Sequence, residues 1–558
     1  MTTNSQLNCS KWEPFHRQIL GISIIYSYQE QETIYRSNLS TLSDTTTPSS
    51  KGSSQDLLNS RMSYLNLWRK TVLEQIRIDL DSLPNQTTSK DLDELSNHLP
   101  SKLYIEILHD LILISLSIPN LQSNQESNQP KDQFKYTATS RALVFRVTHS
   151  LRIPLDLVYH AERIVAQELF SLFKETQKES HDQTLSDQSK EALSNSNSKS
   201  KWLRYIGAGA GLIVGGVTIG LTGGLAAPLL APLLVTLSGG GLGFLATAGG
   251  SVLIGTLFGI AGGGLTGYRA QRRMKGIEEF EFVRISPSEL EPNQTDETKD
   301  LTHVPSLHAT IVCSGFLLTP TDYKDTWKPA YSETIDSRDI FAIKLETGAL
   351  LEAGKSLDTY VRDVIVQQGT KEILKRTVLA SFISAVALPA VIYKTATVAL
   401  DNEFLRVRDK CEKGAILLAD MIEANAHGTR PLTLVGSSMG AITIFHALLE
   451  LSKRNVVDTI DQVILIGAPI SPSPKEWASV KKIVSRRIVN VYSQNDWVLA
   501  ILVRLHSLIS VRMSIKVAGL GDLGIEGVEE VDVSDLVDGH LDLSKNMKQI
   551  LDRVGINK

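Results

Sequence analysis

The stretch Leu432-Thr433-Leu434-Val435-Gly436-Ser437-Ser438-Met439-Gly440-Ala441 decides the fold. It opens on an apolar, β-type run, and Ile442 to Lys453 beyond it reads as a helix, so a G-x-S-x-G pattern falls at a strand-to-helix junction. A pattern this loose recurs by chance in long chains, and the strand-turn-helix setting is what makes it specific. The chain turns so tightly in such an elbow that a side chain two residues before or after the serine would collide with the neighbouring strand and helix, which accounts for Gly436 and Gly440. Ser438 is therefore the candidate nucleophile. The expected fold class is α/β, an α/β-hydrolase domain with a doubly wound, mostly parallel sheet covered by helices.

A serine hydroxyl is a poor nucleophile at neutral pH and needs a histidine base held by a carboxylate, in the chain order Ser, acid, His for this fold. The sequence downstream supplies that order. A strand-like run Val463 to Ile466 precedes Gly467-Ala468-Pro469, and a second, Ile488 to Tyr492, ends in Ser493-Gln494-Asn495-Asp496-Trp497. A third, Val528 to Val533, leads into Ser534-Asp535-Leu536-Val537-Asp538-Gly539-His540-Leu541. Loops at the C-terminal ends of strands are where α/β sites are built, so Asp496 is the candidate acid and His540 the candidate base. Asp535 and Asp538 stand as alternative acids, although the loop would have to fold back sharply to bring either to His540. His506, in the helical run Ile501 to Ile509, reads as a helix residue, and His446, in the helix after Ser438, as structural. Acyl transfer also needs backbone N–H donors for an oxyanion. Met439 supplies the first; Gly315 and Phe316, after the strand Ala309 to Cys313, supply the second, with Ser314 as a turn residue.

Upstream, Tyr205 to Tyr268 contains no charged residue, whereas one bilayer crossing needs only about 20 residues. Glycines recur four apart at Gly207, Gly211 and Gly215 and again at Gly255, Gly259, Gly263 and Gly267, the spacing that lets membrane helices approach closely. Pro228, Pro232 and Ser238-Gly239-Gly240-Gly241 break the stretch in its middle. Lys199, Lys201 and Arg204 flank one end and Arg269, Arg272, Arg273 and Lys275 the other, so both ends are expected to face the cytosol after an even number of crossings. The competing reading is a buried Gly/Ala-rich hairpin. Before it, Leu57 to Leu83, Leu103 to Ile118 and Asp156 to Phe173 carry apolar residues at helical spacing. Ser40 to Gln55, Asn120 to Gln133 and Lys178 to Ser200 are polar stretches expected to be too poor in apolar residues to order. The expected organisation is a helical N-terminal region over 1–200, a Gly-rich transmembrane helical hairpin over 201–275 and the hydrolase domain over 276–558. Thr377 to Tyr393 is an apolar stretch that reads as a cap, a membrane-facing lid or a buried helix.

The totals exclude other classes. With 57 Lys and Arg against 61 Asp and Glu the net charge is −4, so no electrostatic footprint for nucleic acid exists. Cys9, Cys313 and Cys411 lie far apart, without disulfide or zinc spacing, and no metal or cofactor is expected. The N-terminus has no basic segment followed by a long apolar run, so a secretory leader is not expected.

These features resemble the transmembrane and coiled-coil domain-containing protein 4 family. The resemblance is carried by Lys201-Trp202-Leu203, Ser314-Gly315-Phe316, Gly436-Ser437-Ser438-Met439-Gly440, Tyr492-Ser493-Gln494-Asn495-Asp496-Trp497-Val498-Leu499 and Asp535-Leu536-Val537-Asp538-Gly539-His540-Leu541, over roughly Trp202 to Met547. It implies a membrane-associated hydrolase of lipase or esterase type, with Ser438, Asp496 and His540 on the triad. It also implies an endomembrane location and an association with trafficking-adaptor proteins. The Ser/Asn-rich N-terminal third departs from the family, and nothing is carried over to it. The expected protein is an integral endomembrane serine hydrolase whose N- and C-terminal domains face the cytosol, with the lipid bilayer and a lipid-ester substrate as its partners. The alternative is a trafficking or scaffold protein that keeps the hydrolase fold as a binding module, since fold alone does not establish activity.

Overall fold

Strands buried on both faces read as unbroken apolar runs, and three such runs build the centre of the sheet. In a computed structural model of the chain these are β2 (Ala309–Cys313), β4 (Leu432–Ser437) and β5 (Ile460–Ile466), each buried along its whole length. The structure describes residues 7–43, 48–84, 88–118, 134–184, 248–260, 265, 276–286, 303–332, 334, 338–368, 401–509 and 516–556. With β1 (Phe280–Arg284), β3 (Asp339–Leu345), β6 (Val484–Tyr492) and β7 (Glu529–Asp532) they form a seven-stranded sheet in the order β1-β3-β2-β4-β5-β6-β7. Among the described strands only β1 runs antiparallel to its neighbour. The chain is thus mixed α/β with a mostly parallel sheet. The edge strand β7 is Glu529-Glu530-Val531-Asp532, and its charges blunt a row of unpaired backbone groups.

The connections place a crevice. From β2 the chain moves outward to β3, then crosses back over β2 to β4 and continues the other way through β5, β6 and β7. Connections therefore leave β2 and β4 on opposite sides, which opens a crevice beyond their C-terminal ends. Helix α8 (Thr347–Gln368) follows β3, and α9 (Asp401–Glu423) precedes β4. Helix α10 (Met439–Lys453) packs along α9 and on β2, β4 and β5. Helix α11 (Pro474–Lys481) starts with a capping box between Ser473 and Glu476 and Pro474 in its first turn. Helices α12 (Trp497–Ile509) and α13 (Met547–Val554) follow β6 and β7. The earlier part of the chain forms α1 (Pro14–Ser43), α2 (Pro48–Gln75), α3 (Ser89–Ser96), α4 (Tyr104–Leu116), α5 (Ala138–Ser150) and α6 (Asp156–Thr184) around their own core, which includes Leu65, Trp68, Ile107, Leu111, Val144 and Val165.

Two polar stretches expected to stay unordered are partly helical. Within Ser40 to Gln55, α2 begins at Pro48, and within Lys178 to Ser200, α6 continues to Thr184. Proline suits a first helical turn, and the buried residues farther along α2 (Leu57, Tyr64, Leu65, Trp68, Val72) hold the helix whose polar end Pro48 opens. Tertiary burial of one face carries poor local composition with it.

Inside the uncharged segment, Ala248–Leu257 forms helix α7, which packs on α6 and buries Leu253, Ile254 and Leu257, with Phe258 just beyond. A helix of this length spans about 15 Å, against about 30 Å of bilayer hydrocarbon. Its C-terminal end presses on the turn before β4: a Cβ on Gly428 (φ +90°) would stand 2.1 Å from the Leu257 carbonyl. Thr429 N donates to Thr256 O at 3.3 Å, and Tyr136 N to Thr429 O at 3.1 Å. Among the described residues no helix is long and apolar enough to cross a membrane. The rest of the expected hairpin, the stretch 120–133 and the candidate lid 377–393 lie outside the described residues.

Candidate active site

The turn from β4 into α10 holds Ser438 at φ 55° and ψ −123°, outside the regions that side-chain-bearing residues ordinarily populate. Its N–H donates to Ile466 O at 2.8 Å, which ties the strained residue to the end of β5. The glycines are there for space. A Cβ on Gly436 would meet Ala441 Cα at 2.6 Å, and one on Gly440 would meet Cys313 O at 2.1 Å.

Asp496 and His540 come to this serine from loops after β6 and β7. Ser438 Oγ lies 2.6 Å from His540 Nε2, and His540 Nδ1 lies 2.7 Å from Asp496 Oδ2. All three are buried, at 4%, 3% and 1% exposure, so the chain of hydrogen bonds is shielded from water. The second oxygen of Asp496 accepts from Leu499 N at 3.0 Å and so caps α12, which fixes the carboxylate's rotation. Asp535 stands instead on the surface, paired with Arg553 Nη2 at 2.7 Å. His446 lies 3.8 Å from Glu412 on α9, and His506 falls within α12.

Gly315 follows β2, whose last residue Cys313 is in register with Gly436 of β4. A Cβ at Gly315 would be 2.4 Å from Ser438 Cβ and 2.8 Å from Met439 N, so the β2 loop passes directly over the elbow. Met439 is the first residue of α10, and an N–H at that position has no intrahelical acceptor. The ring of Phe316 meets that of His540 edge to face, with centroids 6.2 Å apart, and that of Phe404 at 6.3 Å. All six expected site residues, Ser438, Asp496, His540, Met439, Gly315 and Phe316, are therefore gathered at one crevice.

Apart from Ser314, expected as a turn residue, the sequence does not single out the supports of the β2 loop. Ser314 Oγ accepts from Trp327 Nε1 at 2.8 Å and donates to Tyr323 O at 3.2 Å, while Asp322 accepts from Leu318 N and Thr319 N, both at 2.8 Å. No local pattern announces these contacts. Gly467, the residue after the strand-like run Val463 to Ile466, has φ +55°, and a Cβ there would lie 2.6 Å from Leu543 and 3.6 Å from His540 Cε1. Burial pushes the thiols of Cys313 and Cys411 well up, so neither supplies a thiolate to compete with the serine. Among the described residues no cluster of His, Cys, Asp and Glu is arranged to hold a metal ion.

A family profile described as a protein of unknown function, DUF726, matches residues 200–557. The chain belongs to this family. The DUF726 match contains the whole sheet and all six site residues, and it begins after the last described residue of α6. Among curated relatives, the uncharacterized membrane protein F35D11.3 of Caenorhabditis elegans is 35% identical over 64% of this chain and 55% of its own length. The transmembrane and coiled-coil domain-containing protein STS1 of rice (Oryza sativa subsp. japonica) is 32% identical over 57% of this chain and 45% of its own. The probable lipase MIL1 of Saccharomyces cerevisiae is 28% identical over 57% and 27%. The chain spans about half the length of the first of these curated relatives. No solved structure matches it.

Proposed function

We propose that this DUF726 protein is a membrane-anchored serine hydrolase of α/β-hydrolase fold that cleaves a carboxylic ester, with a lipid ester as its substrate class. The observation that carries the reading is the hydrogen-bonded series Ser438, His540, Asp496 on a strained elbow at the sheet's crevice. The name of the yeast relative, a probable lipase, supports the lipid substrate. The names of the nematode and rice relatives, together with the uncharged Gly-rich stretch, support an anchor drawn from the part of 201–275 that precedes α7, since α7 itself packs inside the protein, and this anchor would hold the domain 276–558 at the cytosolic face of an endomembrane.

In this mechanism Ser438 Oγ attacks the ester carbonyl while His540 Nε2 takes its proton, and Asp496 holds the imidazolium through Nδ1. The N–H groups of Met439 and Phe316 receive the oxyanion. His540 then protonates the departing alcohol, and a water activated by the same imidazole releases the acid from the acyl-serine. Hydrolysis in place at a membrane benefits from the high effective concentration of lipid that an anchor provides.

Fluorophosphonate labelling of the detergent-extracted full chain tests the reading. Labelling is expected for wild type, to vanish in Ser438→Ala and to fall by about 10³-fold or more in His540→Ala and Asp496→Asn. A folded wild type that stays unlabelled sinks it, and leaves the binding-module alternative.

A further inference from the structure

The acid and the base stand on separate loops, 44 residues apart in sequence. Their strands, β6 and β7, are neighbours, but β7 is a four-residue edge strand with exposed ends. A ladder that short leaves the placement of the loop beyond it to other contacts. Val533 N on Tyr492 O at 2.9 Å, Asn546 Nδ2 on Leu536 O at 2.7 Å and Arg553 Nη2 on Asp535 at 2.7 Å hold it from one side, and side-chain hydrogen bonds run to it from the acid loop. Ser493 Oγ donates to Val537 O at 2.7 Å and accepts from Asn495 N at 3.1 Å. Gln494 N donates to Ser534 Oγ at 2.9 Å, and Asn495 Nδ2 donates to Ser534 O at 2.7 Å. Ser534 is fixed in turn by its N–H on Asp532 Oδ1 at 2.8 Å. Trp497, buried next to Asp496, abuts the base loop, since a Cβ on Gly539 would lie 3.5 Å from its Nε1. A turn that merely reversed the chain would close its hydrogen bonds within itself. Here three polar side chains bridge the two loops, in the residues that lead up to Asp496 and to His540.

We propose that Ser493, Asn495 and Ser534 are positioning residues that lace the acid loop to the base loop, so that the carboxylate and imidazole are set relative to Ser438 before substrate arrives. This rests on the hydrolase reading and extends it to residues outside the triad. Their hydrogen bonds go to the two loops, and they act through Asp496 and His540. Because the lacing fixes geometry and not binding, its loss lowers turnover and leaves KM in place.

The test uses the full chain in detergent, with p-nitrophenyl butyrate hydrolysis and the rate of fluorophosphonate labelling as readouts and thermal unfolding as the check on folding. Asn495→Ala is expected to lower kcat and the labelling rate by roughly ten- to a hundredfold with KM unchanged. Ser493→Thr, which keeps the hydroxyl, is expected to stay close to wild type where Ser493→Ala falls. In an Asp496→Asn background Asn495→Ala should cost nothing further, because the residue it acts through is already impaired. Should Asn495→Ala fail to fold, Ser534→Ala, which removes only the hydroxyl that Gln494 N donates to, carries the same comparison. A loss confined to KM, or a full additional loss in the Asp496→Asn background, overturns the inference. Variants that label at the wild-type rate overturn it while leaving the hydrolase reading intact, and an unlabelled wild type overturns both.

Discussion

Ser438 is held in a backbone conformation that costs of order 1–3 kcal/mol and persists only because its surroundings impose it. Those surroundings include glycines where no Cβ would fit: Gly436, Gly440 and, from the loop after the neighbouring strand, Gly315. Gly315 has the most direct bearing on chemistry, since its missing Cβ leaves open the space beside Ser438 Cβ and Met439 N. Gly315→Ala is therefore expected to lower ester hydrolysis by about 10²–10³-fold, the scale of a lost oxyanion donor. Initial rates on p-nitrophenyl butyrate check this, with thermal unfolding to show that the sheet is retained. A rate within twofold of wild type would mean that the β2 loop does not bound the site.

At the scale of elements, the helical region and the sheet are joined through buried charge. Arg141 of α5 is fully buried and donates from Nε and Nη2 to the two oxygens of Glu162 on α6, at 2.7 and 3.0 Å, and from Nη1 to Asp461 in β5 at 2.5 Å. Arg486 of β6 also donates to Asp461, from Nη2 at 2.7 Å, and Tyr136 OH to Glu162 at 3.1 Å. Removing one member leaves uncompensated buried charge, so Arg141→Ala should destabilise the protein by about 3–5 kcal/mol, read from urea unfolding. The pH dependence follows from the buried histidines. Burial, Arg141 and Arg338 hold His308 down to about 4 against the pull of Glu162, and burial with Arg430 holds His427 down to about 3. Both are neutral in the fold, while the unfolded chain protonates them below about 6.5. Stability that is complete above that pH is lost as pH falls toward 4. His109 has the opposite sign: burial lowers it, but hydrogen bonds with Asp110 and Glu168 bring it up to about 9, so its contribution is present below 6.5 and is lost as pH rises through 9. The urea midpoint should accordingly drop on both sides of pH 6.5, and His308→Gln with His427→Gln should flatten the acid side.

For the whole molecule, the site and the helical region occupy opposite ends of the sheet. Ser438, Asp496 and His540 stand beyond the C-terminal ends of the strands. The helical region instead meets the opposite ends, through Ala138 N on Asp458 O at 2.8 Å, Gln31 Nε2 on Ser485 O at 3.1 Å and Arg141 on Asp461. A fragment over 200–558, the family match and the last residue, is therefore expected to be largely insoluble, and supplying 1–184 as a separate chain should raise its recovery in size-exclusion chromatography; a soluble, cooperatively folding 200–558 would show that the helices are dispensable. Much of the site was legible in the sequence because its constraints are local. An elbow needs glycines at fixed offsets from the serine, a parallel strand buried on both faces needs an unbroken apolar run, and the chain order of nucleophile, acid and base is set by strand order. What the tertiary structure alone decided depends on partners far away in sequence. It put Asp496 and not Asp535 against His540, drew Pro48 and Thr184 into helices that their polar neighbours did not announce, and packed α7 onto α6. It also laced Ser493, Asn495 and Ser534 across two loops. Local composition sets what a segment can adopt, but which carboxylate reaches an imidazole, and which polar end is carried into a helix, is settled by burial and hydrogen bonding between segments that only the folded chain brings together.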